Sequence, residues 1–141
     1  KTAATVGRYS GSVREQFFPY VRPQETGNKS DVRWMAVHDS DGNGLLFAAP
    51  ELLNGAALHF LPEDLYPGLE KGQTHAAELR ERDLTAVHID MQQMGLGCIN
   101  SWGALPLEQY RLPYRDYRYS FLMMPFSGTE EMDGLVKQEM D

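Results

Sequence analysis

Val32-Arg33-Trp34-Met35-Ala36-Val37-His38, then Asp39-Ser40-Asp41-Gly42-Asn43-Gly44, then Leu45-Leu46-Phe47-Ala48-Ala49: the fold class is read from this stretch. Trp34 and Ala36 alternate with Met35 and Val37, the period of two that sends neighbouring side chains to opposite faces of a strand. Six turn-forming residues follow, then an apolar run, so residues 32–49 read as a β-hairpin. Working outward, further strands are expected at residues 56–61, 85–91, 107–112 and 117–124. In the last of these, Tyr117, Tyr119, Phe121 and Met123 alternate with Arg118, Ser120, Leu122 and Met124. The one helical signal lies at residues 74–80, where Thr74 is placed to cap and Ala76, Ala77 and Leu79 continue. An all-β, antiparallel chain of five or six strands with one short helix is the expectation. Residues 1–127 form its body, and residues 128–141, which lose the alternation and gain acidity, read as a flexible, solvated tail.

The chain has 141 residues, room for one domain, and 42% of them are apolar, enough to bury a core. Of its net charge of −7, the last twelve residues hold −4 through Glu130, Glu131, Asp133, Glu139 and Asp141 against Lys137. The body is nearly neutral and lacks a Lys/Arg block, so nucleic acid is not an expected partner. The longest uncharged stretch, residues 91–107, is broken by Gln92, Gln93, Asn100 and several glycines, which argues against a membrane span. Cys98 is the single cysteine, so neither an internal disulfide nor a four-cysteine zinc site can form. The opening Lys1-Thr2-Ala3-Ala4 has no initiator methionine and no apolar signal core, so the sequence is expected to begin mid-protein.

Residues 39–44 match the opening D-x-D-x-N-G of a calcium loop, but the twelfth position, where a bidentate carboxylate should close the site, is Pro50. Flanked by strands, the same residues are what a tight turn requires. His38, His59, His75 and His88 show no metal-ligand spacing, so no metal site is expected, and His38 and His88 read as partly buried, hydrogen-bonded strand residues. No G-x-S-x-G elbow surrounds Ser101, and no nucleophile stands out. The densest unusual segment is Gly95-Leu96-Gly97-Cys98-Ile99-Asn100-Ser101-Trp102-Gly103. Its glycines permit close approach by a ligand, and Trp102 could offer a flat apolar face to a sugar ring, with Asn100 and Ser101 available for hydroxyls. On chemistry alone, a loop tryptophan covering the core is the stronger reading.

Two segments carry a family resemblance. Pro19-Tyr20-Val21-Arg22-Pro23-Gln24-Glu25-Thr26-Gly27-Asn28, followed by Arg33-Trp34, resembles the P-Y-V-x-P-x-E-x-G-N stretch near the C-terminal end of family 2 β-galactosidases. Asp90-Met91-Gln92-Gln93-Met94-Gly95-Leu96-Gly97-Cys98-Ile99-Asn100-Ser101-Trp102-Gly103 is similar to the same family's D-x-x-x-M-G-x-G-G-x-x-S-W motif, with Cys98 where many relatives carry glycine. The resemblance covers residues 7 to about 125 and implies the C-terminal portion of an antiparallel, galactose-mutarotase-like β-sandwich (a supersandwich). It further implies that Trp102 forms part of the galactoside-binding wall, beside Asn100 and Ser101. The family's two catalytic glutamates belong to a central TIM barrel, so no residue of this chain is expected to be catalytic, and Glu25, Asp90 and Glu108 are read as structural or surface carboxylates. No cofactor is implied here, the magnesium and sodium of the family being held by other domains. The implied partners are the remaining domains, a β-galactoside and further copies in a homo-oligomer, in a bacterial cytoplasm or periplasm. Two other classes stay open: an autonomous carbohydrate-binding module stacking sugars on Trp102, Tyr110 or Tyr114, and a purely structural sandwich at a subunit contact.

Overall fold

The computed structural model describes residues 5–66, 68, 74–95, 100, 103–128 and 131–140. Its centre is the expected hairpin. Strand β1 (Lys29–His38) returns antiparallel as β2 (Gly44–Leu58), in a register that pairs Trp34 with Ala48, Ala36 with Leu46 and His38 with Gly44. The turn closes through Asp39, whose Oδ1 accepts the N–H groups of Asp41 at 2.9 Å and Asn43 at 3.0 Å. Gly42 sits at φ +85°, a left-handed conformation that suits glycine. The carboxylate that the calcium pattern would aim at an ion therefore serves the backbone of the turn.

Strand β3 (Ala86–Asp90) pairs antiparallel with β2 from Asn54 to Leu58, and β4 (Leu122–Phe126) pairs antiparallel with β2 from Gly44 to Ala48. Both run along the same flank of β2, with β1 on the other. The result is a four-stranded antiparallel sheet, mainly β as the sequence indicates and consistent with an all-β, sandwich-like fold. Because β2 has neighbours on both sides, it supplies most of the core: Leu46, Ala48, Leu53 and Ala56 are fully buried, and Phe47, Ala57 and Leu58 nearly so. Leu58 and Phe60 continue the core onto helix α1 (Pro62–Leu65), where Leu65, Phe17 and Leu79 pack. Phe17 and Phe60 meet with ring centroids 4.7 Å apart. Asp64 accepts two hydrogen bonds from Arg82, at 2.7 Å each, and that guanidinium holds its carboxyl below the usual carboxylate range.

Several expectations change. The strands expected at 45–49 and 56–61 belong to one strand, β2, whose ladder is interrupted where residues 49–52 stand opposite Arg33 alone. Pro50 has no N–H to give a ladder, so the chain bulges outward there and leaves Pro50, Glu51 and Leu52 exposed. That bulge also shortens β4. Beyond Leu122, paired with Ala48, residues 117–121 join no ladder. Residues 107–112 are not a strand; between Pro106 and Pro113 they make a 3₁₀ turn at Glu108–Tyr110. The described residues thus hold four strands where five or six were expected.

The helix expected at 74–80 shrinks to a 3₁₀ turn, Ala76–Glu78, with His75 in place of Thr74 at its start. Leu79 turns extended to reach the core, and one turn cannot repay helix nucleation. Instead, the longest helix among the described residues is α2 (Met132–Met140), within the stretch read as a solvated tail. Its half-buried Met132, Leu135 and Val136 recur at helical spacing, too short a pattern to stand out from the surrounding acidic residues. No helix of the described residues is long and apolar enough to cross a membrane.

Candidate functional site

Strand β3 delivers the chain to the glycine-rich loop. Its last residue, Asp90, pairs with Asn54 in the far half of β2. Three residues on, the Gln93 carboxamide donates to Asp90 Oδ2 and to Asn28 Oδ1, both at 3.3 Å. Asn28 Nδ2 in turn donates to Ser30 Oγ at 3.4 Å and Asn54 Oδ1 at 3.5 Å. These bonds are long and individually weak, but together they tie three separated segments at one end of the sheet. Gly27, just before Asn28, has φ +80°, and a Cβ there would lie 2.8 Å from the Gln16 carbonyl oxygen, so glycine is required for the chain to pass.

On the other side, the Gly95 N–H donates to the Tyr110 carbonyl at 2.8 Å. A Cβ on Gly95 would stand 2.7 Å from Tyr110 Cβ, so the two backbones can cross only because residue 95 is glycine. Past this crossing, Asn100 Oδ1 accepts the Ala104 N–H at 3.2 Å, and Gly103 sits at φ +119°. Asn100 is exposed, with its carboxamide oxygen engaged by the loop's own backbone. Ser101 and Trp102, the other two residues singled out for sugar binding, lie outside the described residues, as does Cys98.

Tyr110 borders this crossing through its bond to Gly95. Partial burial, then the negative charge of Asp90, raises the pKa of the Tyr119 hydroxyl above its ordinary value. The Tyr119 ring stands 5.6 Å from that of Phe121. Tyr110 is about half exposed and Tyr114 fully so. The carboxylates behave as supports: Glu25 Oε1 lies 3.6 Å from His88 Nδ1, Asp90 accepts from Gln93, and Glu108 sits exposed in its 3₁₀ turn. His38 and His59 place Nδ1 at 2.8 Å from the Asp39 carbonyl and 2.7 Å from the Leu84 carbonyl respectively. Among the described residues, no three His, Cys, Asp or Glu side chains converge as metal ligands. An open groove of about 400 Å³, floored by Val37, Leu45, Phe47 and Val87, includes none of the loop-stem residues.

The structure therefore joins Asn28, from the first quoted motif, to Gln93 and Asp90, from the second. Asn28 and Gln93 stand 65 positions apart, a pairing that leaves no local signal, and reading the sequence assigned neither a role. The contact of Tyr110 with Gly95 is equally invisible from spacing, since residues 107–112 read as a strand.

The family model described as "Beta galactosidase small chain" matches residues 1–123. The chain is similar to a β-galactosidase of Priestia megaterium, at 36% identity over 126 residues, covering 89% of this chain. It is similar to one of Streptococcus thermophilus at 36% over 125 residues, or 88% of the chain, and to one of Lactobacillus delbrueckii subsp. bulgaricus at 42% over 98 residues, or 70%. The chain spans about 12% of the length of the first two relatives and 9% of the third.

Proposed function

The chain belongs to the β-galactosidase small-chain family, and from that membership we propose that it is the C-terminal sandwich portion of a family 2, retaining β-galactosidase, lending the galactoside site its aromatic wall. The observation that carries the reading is the loop stem: Asn28, Asp90 and Gln93, drawn from both motifs, brace the root of the segment bearing Asn100, Ser101 and Trp102. In this reading Trp102 stacks on the apolar face of the galactosyl ring while Asn100 and Ser101 serve ring hydroxyls. A retaining mechanism needs a carboxylate nucleophile and an acid/base about 5–5.5 Å apart, and these come from the parent's barrel. This portion binds and orients; it moves no proton. It packs against the remaining domains, with further copies in a homo-oligomer.

The test is Trp102→Ala in the complete enzyme. Stacking on a neutral ring acts largely on ground-state affinity, on the order of 1–3 kcal/mol, so KM should rise more than kcat falls. An unaltered KM with a lowered melting temperature would make Trp102 a core cover and remove it from the site. Full exposure of Tyr114 favours a second reading, an autonomous carbohydrate-binding module. Galactose titration of the chain alone, followed by tryptophan fluorescence, separates them: saturable binding supports the module.

A further inference from the structure

Outside the loop site, three segments far apart in sequence converge on one carboxylate. Asp133, in the first turn of α2, accepts the Trp34 indole N–H at Oδ1, 2.8 Å away, and the Arg8 guanidinium at Oδ2, 2.5 Å away. Arg8 also lies over the Trp34 ring, 5.5 Å from its centroid, so the indole fixes the guanidinium that completes the pair of donors. The carboxyl is held below its usual range, first by the Trp34 hydrogen bond and then by Arg8. Arg8 and Asp133 side chains remain 58% and 50% exposed, so the clasp is open to competitors in solution.

Beyond this clasp, helix α2 rests on β2 through a short apolar stripe. Nine residues fall short of what an isolated helix needs in water, and Gly134 weakens it further. Met132, Leu135 and Val136 are only half-buried. The family match covers residues 1–123 and so does not include the helix.

We propose that Arg8 and Trp34 form a carboxylate-recognition site, filled in this chain by Asp133, and that α2 is a releasable strap which this site fastens onto β1. The ligand class is a side-chain carboxylate on a short helical peptide, and the occupant is the chain's own C-terminal segment. When the strap lifts, an indole N–H and a guanidinium are left side by side, ready for the same chemistry in trans.

Amide hydrogen exchange on the full chain tests the strap. With Asp133→Ala, amides of residues 132–140 should exchange at least about fivefold faster while those of the β1–β2 ladder hold their rates. Arg8→Gln should reproduce the effect without touching the helix. Unchanged helix exchange in both variants overturns the proposal; so does equal acceleration of the β1–β2 ladder, which would make the contact part of the global fold. The site itself is tested with a synthetic peptide of residues 129–141 and a control peptide carrying alanine at position 133. Trp34 emission, isolated by Trp102→Phe, should respond to the first peptide in the Asp133→Ala chain at about fivefold lower concentration than in the chain that retains Asp133, and not to the control. No response, or the same titration with both peptides or both chains, overturns it.

Discussion

Gly95 illustrates how much one missing methyl group decides. A Cβ there would meet Tyr110 Cβ at 2.7 Å, inside any tolerable contact, and the Gly95 N–H would lose its 2.8 Å bond to Tyr110 as the segments parted. Gly95→Ala should therefore lower stability by about 1–3 kcal/mol, read from the urea midpoint, with a change in Tyr110 environment in the same variant. A variant as stable as the parent would mean that the crossing is slack. In the core, Leu46 and Leu53 are fully buried, and truncating either to alanine should remove about 2–5 kcal/mol. At this scale the sequence is half legible. Glycine density announces that residues 95–103 need unusual backbone, whereas the neighbour that imposes the need, Tyr110, can be named only once the chain is folded. Asn100 and Trp102 are conspicuous by type, while Asn28 and Gln93 look like ordinary polar residues because hydrogen bonds between distant segments leave no periodicity.

Elements were legible where one face meets the core and obscure where partners are missing. The hairpin of β1 and β2 follows from alternation and from the Asp39 turn. Residues 117–121 alternate just as well, but they lie opposite the bulge at Pro50, and a strand needs a neighbour as much as a pattern. Helix α2 was hidden by its acidity: its apolar stripe is short, and a carboxylate, Asp133, makes its bonds to Trp34 and Arg8. This attachment has a pH signature. Asp133 is stabilised as a carboxylate in the docked state, so its pKa lies below the ordinary 3.8 there. The contribution to docking is complete above that ordinary value and is lost as pH falls through the lower, docked one. Trp34 emission in the Trp102→Phe background should thus stay constant from pH 6 to 4 and change with a midpoint below 3.8. A midpoint above it would show that the carboxylate is not held.

For the whole molecule, fold class and family are readable from residues 32–49, 19–28 and 90–103, while the topology, with two strands sharing one flank of β2, is not. Leu105, Leu107, Tyr114 and Met123 are all more than half exposed, apolar surface that, under the proposed function, the remaining domains would cover. Under the proposed function the isolated chain should show no hydrolysis of nitrophenyl β-galactoside, because it holds neither barrel glutamate. Turnover that survives purification and responds to substitutions in this chain would refute that reading. One feature of the sheet reaches beyond catalysis. Residues 29–32 of β1 pair with the far half of β2, and β4 pairs with its near half, so two ladders straddle the exposed bulge at Pro50. A proteolytic nick between Pro50 and Glu51 would sever the backbone without releasing either piece. The two peptides would remain interlocked like clasped hands, and this bulge is where a split-reporter pair, expressed as separate halves, should find each other and reassemble.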